Sequence, residues 1–161
     1  MNSSAADPTR APGRWDSLFA LLKRMDDDIE QLYVRRGVEG VRSRFVRPMI
    51  RLRHDGPMTI SALASSLGAT HSATSQTVAA MKRADFLTSA PGEDGRTQVL
   101  SLTPRAVELV PLLESEWRAT EAVVAALDDE LGGAVTDLST ALGRALAARP
   151  MSQRLEEELG R

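Results

Sequence analysis

The sequence predicts a mainly α-helical chain with one small β element: a compact lobe flanked by long amphipathic helices. Three observations carry this prediction. Apolar residues recur at helical spacing over residues 16–36 and again over most of the chain after Thr103. Between them, residues 59–83 hold two short helical patterns around Leu63-Ala64 and Leu67-Gly68, with room only for a sharp turn. Directly after, residues 86–88 and 97–102 read as strands around Pro91-Gly92-Glu93-Asp94-Gly95-Arg96. Each piece alone is common; their order and tight spacing are not.

Residues 1–13 are rich in Ser, Ala and Pro and lack periodicity. They read as part of a mobile arm over residues 1–14, with a single domain spanning 15–161. The first helix, 16–36, places Leu18, Leu21, Leu22, Met25, Ile29 and Leu32 on one stripe, and Gly37 and Gly40 punctuate its end. From Val41 a second run sets Phe45, Met49 and Leu52 on one face and Arg44, Arg47 and Arg51 on another. Pro48 lies inside it, so that helix either kinks there or begins late.

Thr59 is placed to cap the next helix, whose buried side is Ile60, Leu63 and Leu67. Ala64 is small where a second helix must cross closely, and Gly68 permits the positive φ of a tight corner. Thr70 caps the following helix. On it Thr74, Val78 and Met81 share one face, while Ser72, Ser75, Gln76 and Ala79 share the other. After the two strands, Thr103-Pro104 starts a long helix to about residue 127, with Pro near the first turn, where its missing N–H costs nothing. Asp128 can cap a further helix through Leu131, Val135, Leu138, Leu142 and Leu146; Pro150 breaks the chain before a short last helix to Leu159.

Composition narrows the chemistry. At 161 residues with 42% hydrophobic content the chain can bury a real core, and the absence of Cys excludes disulfides, thiolate metal sites and a cysteine redox switch. No apolar run approaches the length of a membrane span and no signal-peptide stretch opens the chain, which predicts a soluble, cytoplasmic protein with no membrane partner. The net charge of −2 is distributed unevenly: residues 42–105 carry nine Lys/Arg against four Asp/Glu, the remainder eleven against eighteen. A basic middle between acidic ends fits local phosphate contact.

The two short helices and the strands therefore read as a winged helix-turn-helix, and the second helix as its groove-reading element. Such a helix needs short side chains, so that the backbone can approach, together with donors and acceptors for base edges. Gln76 can bond adenine through two contacts, Ser72 and Ser75 serve several bases, and Ala79 can touch a thymine methyl. His71, at the helix start, joins them as a major-groove candidate. Thr59, Ser61 and Thr70 lie at helix N-termini that favour a phosphate, and Lys82 and Arg83 end the reading helix; these five are the backbone-contact candidates. Arg96, following the wing tip, can enter a narrow minor groove, with Asp94 placed to orient its guanidinium.

With these residues in place, the chain resembles the MarR family of winged-helix transcriptional regulators over about residues 16–148. The likeness rests on Gly56-Pro57-Met58-Thr59-Ile60, on Leu63-Ala64-Ser65-Ser66-Leu67-Gly68 and the following helix, and on Asp94-Gly95-Arg96 leading to Leu102-Thr103. The resemblance implies a winged lobe over about 41–103 and a homodimer built from helices at about 15–36 and 121–159. It implies binding of double-stranded DNA, repression, and release by a small aromatic ligand. Candidate ligand-pocket residues near the helix junctions are Trp15, Phe19, Met49, His54 and Trp117. The chain departs from the family pattern at Asp85, Ser89, Thr74 and Thr77, where Gly, a basic residue and aliphatic residues are usual.

Two rival functions follow from the same residues. A winged-helix dimer could serve as a protein-interaction module without specific DNA readout, a role consistent with the low overall charge. Catalysis has no support: no nucleophile–base arrangement, metal-ligand spacing or Gly-rich phosphate loop is present, and no cofactor or metal is expected.

Overall fold

The computed structural model describes residues 7–92 and 97–160. Asp94 and Arg96 lie outside the described residues, as do residues 1–6 of the expected arm. The chain divides into two compact units, Met1–Leu113 and Glu114–Arg161. A short 3-10 turn, Pro8–Arg10, capped by the Asp7 carboxylate, stands in the segment expected to lack regular structure.

The first unit contains α1 (Asp16–Arg35), α2 (Ser43–Asp55), β1 (Met58–Thr59), α3 (Ile60–Leu67), α4 (His71–Arg83), β2 (Leu87–Pro91), β3 (Gln98–Leu102) and the start of α5 (Pro104–Glu130). Helix α2 begins at Ser43 and continues through Pro48, which is itself buried. Its lost N–H leaves one interior helix bond unmade, and burial among apolar neighbours offsets that cost. The core gathers Tyr33, Phe45, Met49, Leu63, Met81, Phe86, Leu100 and Leu113. Phe45 and Phe86 meet edge-to-face, with centroids 6.1 Å apart and ring planes 66° apart. That offset arrangement is the one aromatic quadrupoles prefer.

The expected two-stranded wing belongs to a three-stranded antiparallel sheet in the order β1-β3-β2. Strand β1 pairs Met58 with Leu100 and Thr59 with Val99, and β2 pairs Leu87 with Leu102 through to Pro91 with Gln98. The third strand escapes a pattern reading because two residues cannot display alternation. Its consequence is positional: Thr59 is at once a strand residue and the N-cap of α3, so the sheet fixes where the helix-turn-helix begins.

The second unit holds the rest of α5, then α6 (Ala134–Ala148) and α7 (Met151–Leu159). Asp128, expected to cap a helix running through Leu131, instead lies in the last turn of α5, and α6 starts at Ala134 with Gly133 as its N-cap; the Asp128 side chain still reaches the first N–H groups of α6. Gly132 and Gly133 adopt φ values of +66° and +80°, folding the chain back so that the Asp128 carboxylate accepts the Val135 N–H at 2.8 Å. It also accepts the N–H and hydroxyl of Thr136. These donors favour the charged form, so the Asp128 carboxyl sits below its ordinary range, chiefly through the Thr136 hydroxyl. Neither α6 nor α7 contributes a buried residue, although Val135, Leu138, Leu142 and Leu146 follow one stripe of α6; Leu131, expected on the same helix, lies in the turn before it, because the positive φ values of Gly132 and Gly133 separate it from α6.

Candidate nucleic-acid interface

Helix α4, expected to be the groove-reading element, is positioned by three local devices. Thr59 Oγ1 accepts the Ala62 N–H and Thr70 Oγ1 the Ala73 N–H, each at 3.2 Å, so both helices start on side-chain caps. Gly68 turns the chain at φ +64°, and the Gly68 and Ala69 N–H groups close on the Ser65 and Ala64 carbonyls. Ala64, itself 5% exposed, leaves α3 and α4 room to approach.

The period of α4 separates its two faces. Thr74, Val78 and Met81 are buried, and the Thr74 hydroxyl bonds back to the Thr70 carbonyl at 3.0 Å, so this departure from an aliphatic residue leaves no orphaned polar group. On the other side His71, Ser72, Gln76 and Ala79 are exposed and Ser75 is half-buried. These five major-groove candidates thus share an accessible surface of short polar and small side chains.

The backbone-contact candidates divide. Ser61, Thr70 and Arg83 are exposed and Thr59 is half-buried at its cap. Lys82 is engaged: its Nζ donates to Ser89 Oγ at 2.6 Å, tying the end of α4 to β2. Ser89, where a basic residue is usual, is therefore a tether. Arg83 joins Arg42 and Arg44 around an open cleft of about 440 Å³ floored by Val38, Val41 and Phe45. A smaller cleft of about 230 Å³ among α2, α3 and α4 is edged by Arg44 and Arg47 over Leu63 and Leu67. Glu30 lines the larger cleft as well, so it is mixed in charge; Arg44 and Arg47 of α2 are visible in the sequence only as a stripe at helical spacing.

The turn after α4 is held in a strained form. Asp85 takes φ +59°, the left-handed region, and is alone in this among the described non-glycine residues. Thr103 secures it twice: its hydroxyl donates to the Asp85 carbonyl at 2.8 Å and its N–H to the Phe86 carbonyl at 3.1 Å. The same hydroxyl accepts the Ala106 N–H at 3.2 Å, capping α5. The Leu102-Thr103 pair at the end of β3 thus acquires a physical role.

The ligand-pocket candidates differ in burial. Met49 is wholly buried in the core, Trp15 and Phe19 are exposed on and before α1, His54 is exposed near the end of α2, and Trp117 belongs to the second unit. None of the five lines either cleft described above. Among the described residues, no cluster of His, Asp or Glu could hold a metal ion, and no helix is long and apolar enough to cross a membrane.

No known family model matches the chain, and no curated protein matches it. Solved structures do. The chain is similar to MepR of Staphylococcus aureus in a complex with DNA, with TM-score 0.62 and 17% identity over 83% of this chain and 99% of that one. It is similar to a MarR protein from Peptoclostridium difficile, with TM-score 0.57 and 16% identity over 94% and 99% of the two chains. It is also similar to overoxidized AbfR bound to DNA, with TM-score 0.55 and 13% identity over 80% and 89%. At these identities the likeness establishes the fold, which is that of the MarR-type winged-helix proteins.

Proposed function

We propose that the chain is a sequence-specific transcriptional regulator that binds a pseudo-palindromic site on double-stranded DNA as a homodimer. The observation that carries this reading is α4. Its Thr74/Val78/Met81 face is buried while His71, Ser72, Gln76 and Ala79 stand exposed at the head of a sheet-anchored helix-turn-helix. MepR and AbfR, which share the fold, are described as bound to DNA. Two copies would set their reading helices in successive major grooves, about 34 Å apart.

The second copy is inferred from uncovered apolar surface. In the single chain Val135 is 49% exposed, Leu138 47%, Leu142 41% and Leu146 37%, along one stripe of α6. Phe19, Leu21 and Leu22 on α1 are exposed as well. A contiguous apolar stripe of this length is unstable in water, and a symmetric partner offering the same stripe covers it at no cost in specificity. Repression, and relief by a small ligand that favours one spacing of the reading helices over another, is the regulatory mode that the MarR resemblance suggests.

One observation favours the interaction-module alternative: one of the three donors of the Lys82 ammonium is held by Ser89, which leaves fewer for phosphates. Fluorescence anisotropy across a salt series, with excess competitor DNA, separates the two. The regulator binds DNA flanking its own gene or a sequence selected from a random library, with two subunits per site and a steep salt slope, and loses affinity on Arg96→Ala. An interaction module selects no sequence and is indifferent to Arg96→Ala.

A further inference from the structure

Arg105 enters the sequence-based reading only as one of the basic residues of the middle segment, yet it makes three contacts that join separate segments. Its Nη1 donates to the carbonyl of Ala84 at 3.1 Å, and Ala84 is the C-cap of α4. Its Nη2 donates to the carbonyl of Glu39 at 2.9 Å, in the loop between α1 and α2. The guanidinium lies over the Phe86 ring, 4.7 Å from its centroid, and that ring is fully buried. Pro104 and the Thr103 cap hold the first turn of α5 from which Arg105 projects.

We propose that Arg105 is a positioning residue for DNA readout, clasping the end of the reading helix to the loop that leads from α1. The proposal rests on the DNA-binding reading above. A guanidinium is a planar fork whose two ends bond different acceptors while its face stacks on a ring. Here all three elements of that geometry are used, so displacing α4 relative to residues 36–42 must break at least one contact. Lysine, a point charge on a flexible stem, cannot hold both carbonyls in one plane. Because Arg105 is exposed, water can satisfy Ala84 and Glu39 when the fork is removed. The loss then appears as mobility of α4, not as unfolding. The clasp also supplies a route by which rearrangement at α1, whose apolar face is proposed to meet the second subunit, reaches the reading helix.

The test compares full-length wild type with Arg105→Ala and Arg105→Lys in three measurements. Amide hydrogen exchange on the free proteins reads the clasp directly: both variants should speed exchange together at residues 82–86 and 37–42 and leave α2 and α3 unchanged. Melting temperature should stay within about 3 °C of wild type. Affinity for the duplex that wild type enriches from a random library should fall about tenfold in both variants, within the range carried by contacts between coupled elements. Affinity for a scrambled duplex should hold.

Wild-type affinity in Arg105→Lys would overturn the proposal by showing that charge suffices. Equal losses on both duplexes would overturn it in favour of a phosphate contact. Unchanged exchange at either segment would show that no clasp exists, whatever DNA does. If wild type enriches no sequence, the DNA-binding reading fails by itself and takes the positioning role with it. The exchange data then still report whether the two segments are joined.

Discussion

Replacing Asp85 tests whether the turn after the reading helix is held left-handed, as φ +59° requires. An L-residue in that region costs about 1–2 kcal/mol, with Asp toward the lower end because its short polar side chain tolerates the conformation. Asp85→Gly relieves about 1 kcal/mol of this but loses about 0.5–1 kcal/mol to the greater freedom of glycine in the unfolded chain. The net change should stay within about 0.5 kcal/mol, the smaller term nearly cancelling the larger. Asp85→Val pays the upper end of the left-handed cost. It cannot escape by rotating the turn, because Thr103 holds the carbonyls of residues 85 and 86 at 2.8 and 3.1 Å. Relative to Asp85, which already bears about 1 kcal/mol, its destabilisation should be about 1 kcal/mol, a fall of about 2–4 °C in melting temperature for a chain of this size. Urea titration followed by circular dichroism, run on both variants, gives the comparison. A Val variant as stable as wild type, or a Gly variant destabilised as much as Val, would refute the strained-turn account.

Gln76→Ala should cost about 1–3 kcal/mol at the selected site and relax base preference there, while leaving affinity for scrambled DNA unchanged; competition binding measures both. Acidification should weaken the second unit through Asp128, whose carboxyl is held below its ordinary range first by the Thr136 hydroxyl. A depressed folded value means that the stabilisation is complete above the unfolded carboxylate range, about pH 4, and is lost as pH falls through the folded value. The difference in melting temperature between wild type and Asp128→Asn should therefore be largest at neutral pH and shrink as the solution is acidified below the ordinary carboxylate range. Leu142→Glu, in the middle of the exposed stripe, should shift sedimentation from dimer to monomer without loss of helix content.

Legibility followed the length scale of each interaction. The two faces of α4 and the caps at Thr59 and Thr70 depend on residues three or four apart, so helical periodicity alone placed Thr74, Val78 and Met81 inward. The Asp128 side chain was legible as an acceptor for the start of the next helix, although its reach to Val135 and Thr136 required the Gly132-Gly133 turn. Strand β1 was not legible, because it is two residues long and exists only through pairing with Val99 and Leu100. Nor was the Lys82–Ser89 tether or the Arg105 clasp. Their partners lie across a helix end or, for Glu39, 66 positions away, and an exposed basic side chain carries no pattern that announces a carbonyl acceptor. The apolar face of α2 was legible in the same way: Phe45, Met49 and Leu52, read as one face from their spacing, are all buried.

Hydroxyl-radical footprinting of the purified protein on its selected duplex tests the central claim most directly, since it reads sequence choice, symmetry and spacing together. The account predicts two protected patches on one face of the duplex, related by a pseudo-dyad and centred about one helical turn apart, both weakened by Gln76→Ala. A single patch, or uniform protection that follows no sequence, would contradict a dimeric groove-reading regulator.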